Sequence, residues 1–370
     1  MRILMIVSND VVHDARVLKE GRSLRDAGHE VTFLGWDRSR ESRSRDSWDG
    51  IPIVRVRTDG FMRILPGDTV RNPFWWRRAY RLARSQSFDV VHCHDLDTLP
   101  IGVRLKRHTG KPLVYDCHEV FGYMIEDDVP GVVTRYAFRM EKRLAPLADA
   151  VVSVNPAVKS YIDSVTGGAS VLVRNCEDFL LDAYRPPAEP AFTIIYIGTL
   201  HSSRFVVQAI DAVGGMPDVR LILGGTKSLT PVIRDRCARQ PNTLFLGPVP
   251  REQVMPRTIE AHAVLSMFDP ERRINQVGFP NKIFEAMAAG RPCIVTEGLP
   301  MTKLVEGERC GLAVPYTAEG FRAAVIRLRD NPVLAEDLGR NGLAAARREY
   351  NWGAEAAKLR SLYDGLGKAG

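Results

Sequence analysis

The sequence predicts an alternating α/β protein built as two open, parallel sheets, one in each half of the chain. Three observations lead there. Short, nearly continuous apolar runs alternate with longer amphipathic stretches from one end to the other. The same grammar occurs twice, without any short-period repeat. The stretch RPPAEPAF, residues 185–192, places three prolines between the two copies. Strands that are apolar throughout belong to sheets covered by helices on both faces. Proline fixes φ and lacks an amide donor, so that stretch reads as a linker.

In the first half the predicted strands are 3–7, 31–34, 53–56, 89–92, 113–115, 150–154 and 170–173. Between the first two lies DARVLKEGRSLRDAG, where Ala15, Leu18, Gly21 and Leu24 share a helical face and Ala27-Gly28 closes the helix. In the second half the strands are 193–197, 219–223, 243–246, 263–266, 292–295 and 311–314. Helices are expected near 205–213, 231–240, 251–260, 281–289, 318–330 and 332–347, and REYNWGAEAAKLRSLYDGL (348–366) reads as a terminal helix. The expected domains are therefore 1–187 and 188–347, both Rossmann-like, followed by the terminal segment 348–370. In open α/β sheets ligands bind outside the carboxyl ends of the strands, so the cleft between two such domains is the expected binding place.

The 370 residues are 45% hydrophobic and 26% charged, which is enough to bury two cores and excludes a disordered chain. Cys93, Cys117, Cys176, Cys237, Cys293 and Cys310 are scattered without a C-x-x-C spacing, which argues against a zinc ribbon or disulfide scaffold and for a reduced, cytoplasmic protein. MRILMIVSND turns polar too early for a signal peptide, and no apolar run reaches the roughly 18 residues of a membrane span. The net charge of +7 is modest, but residues 55–84 hold arginines 55, 57, 63, 71, 77, 78, 81 and 84 against Asp59 and Asp68, a local +6. Phe61, Met62, Ile64, Leu65, Phe74, Trp75 and Trp76 interleave with them. Two readings stay open: 61–84 docks on an anionic membrane surface, where each arginine contributes about 1 kcal/mol, or it is a solvated helix with its aromatics in the core. No nucleic-acid motif accompanies the charge, so nucleic acid is not an expected partner.

Four places carry chemistry. In GFPNKIFEAMAAGRPCIV (278–295), Gly278, Phe279 and Pro280 form a turn and Asn281 is the expected N-cap of a helix. The amides of that helix start, with Lys282, suit an anion such as a diphosphate, and Glu285 one turn on suits two hydroxyls; the bland alternative is an ordinary capped helix. In IIYIGTLHSSRFVVQAI (194–210) a strand runs into Gly198 and Thr199, and Arg204 stands at the next helix start, where it is either a phosphate ligand or merely solvated. SNDVVHDARVLKEG leaves the first strand without a G-x-G-x-x-G, which argues against a nicotinamide-linked dehydrogenase. FDVVHCHDLDTLP and LVYDCHEVFG end their strands in His94-Asp95 and His118-Glu119. His92 and His94 are taken to point in opposite directions, which gives His92 a structural role and sets aside a metal site from His92, His94, Asp95 and His118. No metal is expected.

PNKIFEAMAAGRP resembles the donor-binding helix of the retaining family 4 glycosyltransferases of GT-B fold, and the resemblance extends over nearly the whole chain. It implies transfer of a sugar from a nucleotide-diphosphate sugar, UDP or GDP type, to an acceptor hydroxyl, with no cofactor. The implied donor-binding residues are Gly198, Thr199, Arg204, Gly278, Phe279, Pro280, Asn281, Lys282 and Glu285, with Glu285 on the ribose. Val277 stands where the family often has a sugar-binding acid, and Thr199 where it has one of two phosphate-clamping cations. Lys282 or Lys227 is then the expected partner of Arg204. Asn9-Asp10 replaces a common Gly-Gly pair, while Asp14, Arg16 and Val17 match an Asp-x-Arg-Val variant. The implied sugar and acceptor pocket comprises Asn9, Asp14, His94, Asp95, His118 and Glu119, with His118 on a sugar hydroxyl. His118, Arg204 and Lys282 are the implied catalytic set. Asp95-Leu96-Asp97 mimics the metal motif of the other glycosyltransferase fold, in the wrong architecture. The terminal helix, with Trp352 near its start, is expected to brace the first domain, and acceptor choice is expected in 36–86. The acceptor is a glycan, a lipid-linked sugar or a small molecule, met in the cytoplasm or on the inner face of the membrane. Two alternatives remain: a sugar-nucleotide epimerase on the same scaffold, and a non-catalytic partner protein.

Overall fold

The computed structural model describes residues 1–65, 72–179 and 181–368. The chain forms two compact units, Met1–Arg174 with Glu355–Gly370, and Asn175–Ala354. Arg71 and Asp68 of the basic stretch lie outside the described residues.

The first unit is built on eight strands: β1 (Arg2–Ile6), β2 (Glu30–Asp37), β3 (Arg45–Trp48), β4 (Ile51–Arg57), β5 (Val90–His94), β6 (Leu113–Cys117), β7 (Ala150–Ser153) and β8 (Val171–Leu172). Their order is β3-β4-β2-β1-β5-β6-β7-β8. All pairs are parallel except β3 with β4. β3 was absent from the sequence reading because RDSW is polar and mostly exposed, as an edge strand can be. β1 and β5 are buried along almost their whole length, as a sheet covered on both faces requires.

The second unit holds β9 (Phe192–Ile197), β10 (Val219–Gly224), β11 (Thr243–Phe245), β12 (Ala263–Ser266), β13 (Cys293–Thr296) and β14 (Gly311–Val314). They are all parallel, in the order β11-β10-β9-β12-β13-β14. Among the parallel strands of each sheet the order reverses once, between β1 and β5 in the first and between β9 and β12 in the second. Such a switch point opens a crevice at the carboxyl ends of the strands.

The division of the chain falls at Arg174 and Asn175, ahead of the proline stretch where the linker was placed. The reason is packing. The Leu181 amide donates to the Ala288 carbonyl at 3.3 Å, and the Ala188 amide to the Glu260 carbonyl at 3.2 Å. Arg340 lies 4.5 Å from the Tyr184 ring centroid. The prolines are thus an ordered strap on the second unit. At the other end, the helix Trp352–Lys368 changes unit at Glu355. Glu355 accepts from the Arg174 amide and guanidinium, each at 2.9 Å, and Tyr363 is buried against His92 at 2.7 Å. Trp352 itself stays with the second unit, its amide donating to the Glu177 carbonyl at 2.9 Å.

Among the described residues no helix is long and apolar enough to cross a membrane. The helix Pro73–Arg84 is strongly amphipathic, but its aromatics divide. Trp75 is fully buried and stacks on Trp36 at 4.9 Å, and the Trp76 indole donates to the Asp97 carbonyl at 2.7 Å. Trp75 is therefore core. The apolar groups that face solvent are Phe61 (71% exposed), Ile64 (77%) and Phe74.

Candidate active site

In the second unit β9 runs into Gly198, and the backbone there is crowded. The Gly198 amide donates to the Gly224 carbonyl at 2.9 Å. A Cβ on Gly225, whose φ is +126°, would lie 1.8 Å from the Gly198 oxygen. Only glycine allows the two strand exits to approach so closely. A Cβ on Gly198 would in turn meet the Lys282 side chain at 3.2 Å. The helix Asn281–Ala288 therefore presents its first turn directly to the end of β9. Its N-cap is Pro280, with no side chain capping the helix. Asn281 is the exposed first residue of the helix, not the expected cap, because the Pro280 backbone already makes the extended turn into it.

Lys282 and Glu285, three residues apart, face each other as helical spacing dictates. The Lys282 ammonium donates to both Glu285 oxygens, at 2.6 and 2.5 Å. Phe279 stacks on Phe284 at 5.5 Å and holds the turn before the helix. The guanidinium of Arg204 lies 3.9 Å over the Phe268 ring. Tyr196 joins these groups: burial pushes its phenol up to about 12, Arg204 pulls it down and Glu285 pushes it up again. Lys282, with Glu285 bound to it, thus lies at the end of β9, and Arg204 stands in the short turn that leaves the same strand. Lys227 is exposed, in the turn before the next helix. Sequence reading missed Arg272, which the chain after β12 brings to His201 Nδ1 at 3.3 Å and Ser203 Oγ at 3.2 Å. The available signal was position: DPERR follows the other strand of the switch point.

In the first unit the histidines are not separated as expected. Residues i and i+2 of a strand share a face; His92 and His94 stack at 4.4 Å with their rings 13° apart. Both are buried, together with Glu20 and Asp116. These four offer ligand atoms within 4.8 Å of one another, a spacing that a metal ion could use. Arg16 lies among the carboxylates, however. Its guanidinium reaches Glu20 at 2.9 Å and both Asp116 oxygens at 3.1 and 3.2 Å. Arg16 therefore supplies a counter-charge to Glu20 and Asp116 within the protein itself and ties them into an ion-paired network.

His118 closes that network. Its Nε2 is 3.0 Å from Asp116 Oδ2 and its Nδ1 is 3.4 Å from Asp95 Oδ2. Burial works against the charged ring, yet Asp95 and Asp116 raise its pKa to about 10. For Asp116 burial is outweighed by Arg16 and His118, which hold it well below the usual carboxylate range. Burial and His92 lower His94 to about 3, and burial raises Glu20 to about 8. Asp95 sits at φ +62°, an uncommon region for a non-glycine residue, pinned by its amide donating to the Asp116 carbonyl at 2.9 Å. Both His118 nitrogens are turned to carboxylates and His94 lies buried beneath them, which leaves Asp95 and the exposed Glu119 as the more accessible polar groups. Asn9 and Asp14 serve local structure: Asn9 donates to Asp14 at 2.8 Å and accepts from the Val11 amide, while Asp14 caps the helix Ala15–Asp26.

Comparison with known sequences fits both units. Residues 15–175 match the profile described as Glycosyltransferase Family 4, and residues 191–331 match Glycosyl transferases group 1. The two matches, one in each unit, make the chain a family 4-like glycosyltransferase. It is 22% identical over 371 residues to a glycogen synthase of Mycobacterium tuberculosis, covering 91% of this chain and 87% of that one. Among solved structures, the sucrose-phosphate synthase of Thermosynechococcus elongatus superposes with a TM-score of 0.82 at 18% identity, all of both chains being covered. Anabaena Alr3699/HepE in complex with UDP-glucose gives 0.72 at 16% identity, over 99% of this chain and 100% of that one. At these identities the structural likeness establishes the GT-B fold of this glycosyltransferase.

Proposed function

We propose that this glycosyltransferase is a hexosyltransferase that moves a sugar from a uridine-diphosphate sugar to an acceptor hydroxyl, with retention at the anomeric carbon and without a divalent ion. The observation that carries the reading is the placing of Lys282 and Glu285 at the end of β9, with Arg204 in the turn that leaves it, at the switch point of the second sheet. Such a group offers cations for a diphosphate and a carboxylate for a diol. The UDP and UDP-glucose complexes of the Anabaena neighbour support a uridine donor.

The bond from the anomeric carbon to the diphosphate oxygen breaks while the acceptor oxygen forms its own bond to that carbon on the same face. The acceptor proton leaves with the departing phosphate. Negative charge grows on that phosphate, and preorganised donors act where charge develops. Arg204 and Lys282 fill this role, and Glu285 orients the nucleoside. In the first unit Asp95, fixed beside His118, and the exposed Glu119 offer acceptors to the sugar hydroxyls. A lipid-linked or cell-envelope glycan is the proposed acceptor, met at an anionic membrane surface through Phe61, Ile64 and the neighbouring arginines.

The test is turnover of UDP-glucose, UDP-galactose and GDP-mannose by the wild type and Arg204→Ala. Wild type is expected to release UDP and transfer or hydrolyse the sugar, and Arg204→Ala to lose about 100-fold or more in kcat/KM. Conversion of one nucleotide sugar into another without UDP release identifies an epimerase instead. Undiminished turnover by Arg204→Ala removes the clamp.

A further inference from the structure

We infer that the outer side of three neighbouring helices of the first unit docks on an anionic phospholipid surface, with the helix Gly131–Leu144 carrying much of the contact. This rests on the membrane reading of the proposed function and deepens it, adding two helices that lie outside the basic stretch 55–84.

The helices are Pro73–Arg84, Leu99–Thr109 and Gly131–Leu144, of 12, 11 and 14 residues. Together they hold eleven arginines and lysines and a single carboxylate, Glu141. That is a net +10, against +7 for the whole chain, so the rest of the molecule carries −3. Glu141 is buried, its oxygens taken by the Tyr115 and Tyr161 hydroxyls at 2.7 and 2.6 Å. None of the three helices therefore shows an acid to solvent.

The fold sets these helices side by side. From β5 through β6 to β7 the sheet advances in one direction, and right-handed crossovers put the connecting helices on one face. Pro73–Arg84 packs on Leu99–Thr109, and that helix on Gly131–Leu144. Arg104 of the second lies 4.1 Å over the Tyr80 ring of the first. Surrounding acids cover little of the charge. Asp59 pairs with Arg78 and Asp149 with Lys106; Glu126, Asp127 and Asp128 lie in the turn ahead of the third helix. The other nine cations enter no ion pair among the described residues.

The third helix shows what the face fits. Ala137 and Met140 pack inward, while Arg135, Arg139 and Arg143, all exposed, stand four apart in one line. Like charges at that spacing weaken a helix by themselves. Beside the line, Val132 is 61% exposed and Tyr136 48%. On the first helix Phe74 is exposed as well, stacked on Phe61. Aliphatic and aromatic groups set among arginines suit the headgroup boundary of a membrane, where the rings insert and the cations meet lipid phosphates. Three helices laid across a sheet also form a broad layer, whereas single-stranded nucleic acid is held in a groove.

The experiment is sedimentation of the full chain with vesicles of phosphatidylcholine, alone or mixed with phosphatidylglycerol, with melting curves as the folding control. Wild type is expected to bind the anionic vesicles, to ignore the neutral ones and to be released by salt. The triple variant Arg135→Gln, Arg139→Gln, Arg143→Gln is expected to bind the anionic vesicles at least tenfold more weakly, each arginine near the surface contributing about fivefold. Equal binding by wild type and the triple variant overturns this inference alone and leaves the membrane contact to Phe61 and Ile64. Wild type that binds neither vesicle overturns the membrane reading and this inference with it. Equal binding of wild type to neutral and anionic vesicles overturns the inference, as does tighter binding to a single-stranded oligonucleotide that the triple variant loses. If the triple variant melts early, Arg139→Gln replaces it; a loss of about fivefold is then expected, and no loss overturns the inference.

Discussion

His118 shows how much a single residue's chemistry depends on what lies under it. Its charge is sustained by Asp95 and Asp116 against burial. A histidine near 6.5 when unfolded and about 10 when folded binds more protons in the folded state between those limits. Its stabilisation is complete below pH 6.5 and is lost as pH rises towards 10. Glu20, raised to about 8 by burial, acts with the same sign up to that pH. Urea unfolding is therefore expected to show stability falling between pH 7 and pH 10, by at most about 1.4 kcal/mol per unit for each group. His118→Gln should flatten the fall; an unchanged slope would show that the ring is not held charged. The presence of the His-acid pairs was legible because each ends an apolar strand. Their arrangement was not: alternation separates neighbours, and His92 and His94 are two apart. Lys282 and Glu285 were legible together because helical spacing fixes their contact, whereas Arg272 acts across a turn that no period encodes.

At the scale of elements, strands buried on both faces announce themselves as apolar runs, so among the described residues thirteen of the fourteen strands were expected and the polar β3 was not. The helix Pro73–Arg84 was harder, since arginine and tryptophan are equally at home against a core and against a lipid headgroup. The structure divides the labour: Trp75 packs inward, while Phe61 and Phe74 stack on each other at 5.9 Å at the surface beside Ile64. Arg78 is already paired with Asp59. The proposed membrane contact thus predicts that Phe61→Ser with Ile64→Ser weakens binding to phosphatidylglycerol-containing vesicles several-fold, while Arg78→Gln matters less. Sedimentation with vesicles measures it, and undiminished binding by the double variant removes this face from consideration.

At the scale of the whole chain, prolines were a misleading boundary marker: they stop regular structure without stopping packing, and residues 175–188 belong to the second unit. The closing helix matters more. Glu355 holds Arg174, and Ala356, Leu359 and Tyr363 are buried. Removing residues 355–370 is expected to cost the first unit on the order of 5 kcal/mol, from buried apolar area alone. Limited proteolysis should then digest residues 1–174 and spare 175–354; equal resistance of both would show the helix to be dispensable.

The His92–Tyr363 hydrogen bond also orders events in time. A ribosome makes Tyr363 roughly ten to forty seconds after Arg174 at common elongation rates. The first unit is thus completed only after the second has been made, its buried histidines open to water until Tyr363 arrives. Nascent chains of this protein have reason to need shelter during that interval.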